Sequence, residues 1–151
     1  MIDLQNDIIN YLKQYFANDD IFNGLSIVES NSNTNVLEKE QITISIGNTY
    51  EEVQFSTFDN AEIENVSVQL NCYGKGKRIN DKGFSPLYMS QLLCDKVSKA
   101  FDKVKMRKFN DNIKGLRKVG STISLPLKDG SQIYVTSLRY ELLVNYDYVK
   151  N

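Results

Sequence analysis

Three carboxylates, Asp59, Glu62 and Glu64, stand just ahead of the alternating apolar positions Val66, Val68, Leu70 and Cys72. Acidic residues leading into a strand are what a metal-dependent nuclease uses to hold a divalent cation. Such a site also needs a strand lysine, two positions after an acid, to stabilise developing negative charge. The strand here offers Gln69-Leu70-Asn71, which ends in asparagine. Loop carboxylates without catalytic duty are therefore the stronger reading. The chain has no histidine, which removes the commonest general acid or base and the Ser-His and Cys-His nucleophile pairs. Its two cysteines, Cys72 and Cys94, form neither a CxxC knuckle nor a disulfide framework, and without histidine they cannot complete a zinc set. The expectation is a protein that is not an enzyme, with no catalytic residue, metal or cofactor.

The basic residues offer a different chemistry. Residues 74–84 combine three glycines with Lys75, Lys77, Arg78 and Lys82. The run lacks the GxxxxGK[ST] spacing that cradles a triphosphate against a helix N-terminus. It reads as a mobile, irregular loop, either merely solvated or ordering against a partner. A second basic stretch holds Lys96, Lys99, Lys103, Lys105, Arg107 and Lys108, then Lys114, Arg117 and Lys118. Positive charge of this kind suits a nucleic-acid backbone, but the chain has no tryptophan for base stacking, and lysine is ordinary on a solvated helix face. Sequence-specific nucleic-acid binding is not expected. The candidate partner contacts are Lys75, Lys77, Arg78, Lys82, Arg107, Lys108, Arg117 and Lys118.

Charge is distributed unevenly along the chain. Residues 1–73 hold 12 acidic and 2 basic side chains, a balance of −10, whereas residues 74–151 hold 7 acidic and 16 basic ones, a balance of +9, consistent with the net −1. If the halves form distinct surfaces, complementary potentials favour head-to-tail contact between copies. If folding interleaves them, no such asymmetry survives.

The elements that carry these residues follow from periodicity. With 151 residues and a hydrophobic fraction of 41%, the chain fits one domain over 1–151. It has no apolar run of the roughly 18 residues a membrane span requires, and residues 1–5 lack a signal-peptide layout, so a soluble protein made in the cytosol is expected. Leu4, Ile8, Leu12, Tyr15 and Phe16 predict an amphipathic helix over 3–17, ended by Asn18, Asp19 and Asp20. A turn or short strand over 21–28 and a polar loop over 29–35 come next. Ile42, Ile44 and Ile46, then Val53, Phe55 and Thr57, then Val66 to Cys72, alternate as three strands of an antiparallel meander, the first stopping at a Gly47-Asn48 turn. Ser85-Pro86 opens a long helix with Met89, Leu92, Leu93, Val97, Ala100, Phe101 and Val104 on its apolar face. Val119 to Leu127, a Lys128-Asp129-Gly130 turn and Ile133 onward predict a hairpin. Its second strand changes phase between Val135 and Leu138, as a β-bulge near Thr136 and Ser137 would produce. Cys72 falls in phase with the buried strand positions, Cys94 is a partly buried neighbour of Leu93, and Tyr140, Tyr146 and Tyr148 suit either an interface or a sheet surface. The class is α+β, a mainly antiparallel sheet with an N-terminal helix and one long helix packed on one face.

In this layout the chain resembles small tail-terminator and tail-completion proteins of tailed phages and prophages. The resemblance covers most of the chain. It is carried by the N-terminal helix beginning Ile2-Asp3-Leu4, the extended segment 42–46, the run 66–73 passing through a glycine-bearing loop into 85–104, and a C-terminal pair ending in 138–146. The resemblance implies a virion subunit that forms a ring, typically a hexamer, on the last ring of tail-tube protein, ends tube growth, and presents a surface to the head-tail connector and, in contractile tails, the sheath. It supplies no catalytic residues. A head-tail connector or other neck component is the alternative within virion proteins, and a metal-dependent nuclease-like enzyme is the alternative outside them.

Overall fold

The computed structural model describes residues 2–22, 25–29, 41–56, 62–121, 125–126 and 133–145, with the backbone alone described at 2–3, 41, 43–56, 62, 77 and 125–126. The polar loop over 30–35, Asp59, the Lys128-Asp129-Gly130 turn, Tyr146 and Tyr148 lie outside these residues.

Helix α1 (Ile2–Phe16) buries Leu4, Ile8, Leu12 and Phe16 at the expected spacing. Tyr15, expected on the same face, is exposed, and Tyr11 takes the inward position, its hydroxyl donating to the Ala100 carbonyl. Burial pushes the Tyr11 hydroxyl up to about 12, with Tyr15 and Asp102 adding to the shift, so it remains a donor. The helix ends where Asp19 folds back. One carboxylate oxygen accepts the backbone N–H groups of Ile21 and Phe22, both at 2.9 Å, and the other meets Lys96 Nζ at 2.7 Å.

Strand β1 (Ser26–Glu29), in the segment expected to be a turn or short strand, pairs in parallel with β2 (Gln41–Ser56). β2 runs through Gly47 and Asn48 without turning, so two of the three expected strands are one long strand, and the extra residues are absorbed as register shifts between Asn48 and Phe55. β3 (Glu62–Lys75) pairs antiparallel with β2 on one side and with β8 (Ile133–Asn145) on the other. β6 (Ile113–Ser121) and the short β7 (Leu125–Pro126) line the far side of β8, giving the order β1-β2-β3-β8-β6. The chain is therefore α+β with a mainly antiparallel sheet.

One face of that sheet is the core. Val66, Val68, Leu70 and Cys72 alternate with half-buried Ser67, Gln69 and Asn71 on β3, and Leu138, Tyr140, Leu142 and Val144 do the same on β8. All eight join the α1 side chains in one cluster. The expected bulge at Thr136 and Ser137 is absent. β8 stays in unbroken register with β3 through both residues, and the shifts occur instead on β6, between Ile113 and Gly115 and between Lys118 and Gly120. Thr136 fills an inward position, 6% exposed. A hydroxyl residue there disguises the phase, because alternation is read from apolar side chains.

Two helices stand where one long helix was expected. α2 (Pro86–Ala100) opens with Ser85 Oγ accepting from the Tyr88 N–H and buries Met89, Leu93 and Val97. It stops at Phe101, whose ring packs 4.8 Å from Tyr140, and Asp102 then caps α3 (Lys103–Phe109) by accepting from the Lys105 N–H. The break turns Val104 outward, leaving it 59% exposed where the continuous helix would have buried it. Cys94 faces Cys72 and is buried, more deeply than expected.

α2 meets β3 at its closest point beside Gly74. A Cβ there would lie 2.1 Å from the Ser90 backbone nitrogen, so any side chain would force the helix off the sheet. Beside this contact the Ser90 hydroxyl donates to the Cys72 carbonyl at 2.9 Å and lies 2.8 Å from the Thr136 hydroxyl. Gly74→Ala is expected to destabilise the fold by about 3 kcal/mol, the scale of overpacking against backbone that cannot yield; urea unfolding midpoints check it. The Asp19 to Lys96 tie adds a pH dependence. Burial opposes ionisation of Asp19, but the Lys96 ammonium and the two backbone donors outweigh it and hold the carboxyl below its ordinary value. The folded pKa therefore lies below the unfolded value of about 3.9, so the contribution is complete above that value and is lost as pH falls through the folded pKa. Asp19→Asn is expected to cost about 1 kcal/mol at neutral pH and to soften the loss of stability in acid, read from urea midpoints at neutral and acid pH.

Candidate functional site

The eight candidate contact residues fall into two groups. Lys75 closes β3, and after Gly76 the chain forms a two-stranded hairpin, β4 (Lys77–Ile79) and β5 (Lys82–Phe84), separate from the main sheet. The segment expected to be irregular is thus a ribbon. Its turn is Asn80-Asp81 with φ of 51° and 66°, the pair of positive values that a two-residue hairpin turn needs and that Asn and Asp tolerate. Arg78 steadies it by donating to the Asp81 carbonyl at 3.1 Å. Lys75, Arg78 and Lys82 are exposed, and Lys77 is placed by its backbone alone.

The root of this ribbon is aromatic. Phe84 stacks on Tyr88 of α2, with centroids 5.1 Å apart and planes 18° apart. Tyr88 and its neighbour Leu87 remain exposed, at 47% and 38%. Cationic tips above a partly exposed apolar base have the composition of a protein-contact surface, where aromatic side chains anchor and charge surrounds them.

The second group lies on α3 and β6. Arg107 and Lys108 are exposed on α3, and Arg117 and Lys118 on β6, with Lys103, Lys105 and Lys114 exposed around them. Arg117 pairs with Glu141 on β8, a surface ion pair that contributes little stability but holds the guanidinium in place. β6 is the last strand of the sheet on this side, and among the described residues nothing pairs with its outer edge. The two groups do not merge. Lys75 pairs with Ile133, whereas Arg117 is carried by Glu141 to Ser67, so eight β3 positions, about 26 Å at strand spacing, separate their rows.

Of the three carboxylates considered above, only the Glu64 side chain is among the described residues. Glu64 is 5% exposed on the core side of β3, and Asn71 accepts from Gln69 and Ser137 on the open face, at 3.1 and 2.6 Å. Among the described residues no group of three or more His, Cys, Asp or Glu side chains is placed to hold a metal ion, and no helix is long and apolar enough to cross a membrane.

Sequence reasoning missed the residues that aim these surfaces. Ser90, Thr136 and Gly74 set the root of the hairpin, and Asn110, Asn112 and Asn145 set the base of β6. Asn110 donates to Asp7 at 2.9 Å and accepts from the Asn112 backbone and side chain, and Asn145 donates to Asn112 at 3.0 Å, joining α1, the end of α3, β6 and β8. Small polar residues spread over the chain carry no periodic signal. The stacked pair predicts a local response: Phe84→Ala should speed tryptic cleavage within 77–82 by about fivefold, since such a pair contributes ~1 kcal/mol, while the thermal midpoint of the whole fold stays nearly unchanged. Timed proteolysis with mass spectrometry checks it.

Neither protein-family models nor curated proteins yield a match to this chain.

Proposed function

We propose that this protein is a structural subunit of a phage or prophage virion, working as a ring, typically a hexamer, that caps the tail tube, ends its growth and joins it to the head-tail connector. The observation that carries the reading is the strand order, which sets strands from the acidic first half and strands from the basic second half at different sides of the sheet. The acidic first half of the chain supplies β1 and β2 at one side, and the basic second half supplies β6 and α3 at the other. Subunits with unlike sides associate head to tail, and such contacts close into rings when the rotation permits.

Capping needs one surface that binds the last tube ring and another that rejects the next subunit, which is specificity by mismatch as well as attraction. The hairpin with Lys77, Arg78 and Lys82, which follows Lys75 at the end of β3 and stands on an aromatic base, suits the first task. It is short, charged and outside the main sheet, so it can conform to a partner without disturbing the core. The virion is the corresponding location, with tail-tube protein, connector and, in contractile tails, sheath as partners.

Light scattering at low and high salt, followed by negative-stain imaging with tail tubes, tests this. A salt-sensitive ring and density at one tube end are expected, with alanine at Lys75, Lys77, Arg78 and Lys82 reducing tube capping more than ring formation. A monomer at both salts that ignores tubes would overturn the proposal.

A further inference from the structure

Resting on the ring reading, we infer that the contact between copies is made sheet edge to sheet edge, with β6 and α3 of one subunit meeting the β1 and β2 edge of the next. The outer side of β6 is unpaired among the described residues. It displays Lys114, Arg117 and Lys118, and beside them Val119 is 45% exposed. On α3, Val104 is 59% exposed among Lys103, Arg107 and Lys108. Two outward valines set in cations form a surface for an acidic partner with apolar recesses.

The opposite edge carries exposed acid beside a groove of mixed lining. β1 pairs only with residues 41–44 of β2, so from Ser45 onward the outer side of β2 is also without a strand among the described residues. Glu29 is exposed at the end of β1, and Asp20 is exposed in the segment between α1 and β1. Between α1 and β1 runs a groove of about 550 Å³ lined by Asn6, Ile9, Asn10, Lys13, Val28 and Glu29, wide enough for side chains from a neighbour.

Charge also sets direction. Lysines on an edge strand ordinarily prevent further pairing. Here they reject a second basic edge, which disfavours a symmetric β6-to-β6 dimer, and admit an acidic one. The bulges near both ends of β6 leave Gly115–Lys118 as its straight portion, so side chains carry more of the contact than a long continued ladder does. Register identifies which residues meet. Ser121, Leu138, Leu70, Ile44 and Glu29 occupy one row across the sheet, and a copy displaced along that row brings Ser121 opposite Glu29.

The test mixes Glu29→Cys and Ser121→Cys variants of the full chain at low salt under copper-catalysed oxidation, with light scattering of the unmodified chain alongside. Both positions are solvent-exposed, whereas Cys72 and Cys94 are buried. A disulfide-linked mixed dimer, several-fold above that from either variant alone and suppressed by high salt, is expected. An oligomer without the mixed cross-link would overturn the edge assignment and leave the ring reading standing. A monomer without the cross-link would overturn both.

Discussion

The near-contact of backbones at Gly74 and Ser90 is the constraint on which the other placements depend. With no side chain between them, α2 sits low over β3 and β8, so Met89, Leu93 and Val97 reach the sheet and Ser90 can serve both the Cys72 carbonyl and the Thr136 hydroxyl. Those bonds satisfy polar groups that burial would otherwise penalise. The same contact fixes where β3 leaves the sheet, and hence the direction in which the hairpin over 77–84 projects. A rigid root under a short ribbon gives charged tips that move little at their base.

Strand order decides what the charges can do. An alternation of early and late strands would have mixed the acidic and basic halves. The chain instead keeps β1 and β2 on one side of the β3 to β8 seam and β6 on the other. Asp19 with Lys96, and Asp7 with Asn110, cross between the halves inside the subunit. Those interactions hold α1 against the C-terminal half, and Lys103, Arg107 and Lys108 on α3 and Lys114 and Lys118 on β6 are exposed beside the Arg117 to Glu141 pair. Internal cohesion and external complementarity thus use different members of the same unequal charge set.

Much of the fold was legible because burial imposes a period. Leu4, Ile8 and Leu12 mark α1, Val66 to Cys72 mark β3, and Ser85-Pro86 marks the start of α2 within a residue. Errors arose where a polar or small residue held a structural position. Gly47-Asn48 has turn chemistry but lies inside β2, where pairing to β3 overrides it. Thr136 faces inward, Phe101 leaves the helix to meet Tyr140, and Asn80-Asp81 makes a tight turn from a segment that looked irregular. Each depends on a partner far away in sequence or on a backbone angle that residue identity only permits.

The candidate surface divides in the same way. Which residues are basic, how unequal the halves are, and the absence of histidine are properties of the sequence alone, since they depend on composition and order. That Lys77 to Phe84 form a separate ribbon beyond Lys75, that the row of Arg117 lies about 26 Å of strand from that of Lys75, and that β1 and β2 lie on the opposite side of the sheet from β6 were decided by tertiary structure. The physical reason is that alternation specifies which way a side chain points but is blind to which strand lies next to which. Neighbour order is chosen by packing helices onto the sheet and by satisfying buried polar groups, and both are relations between distant parts of the chain.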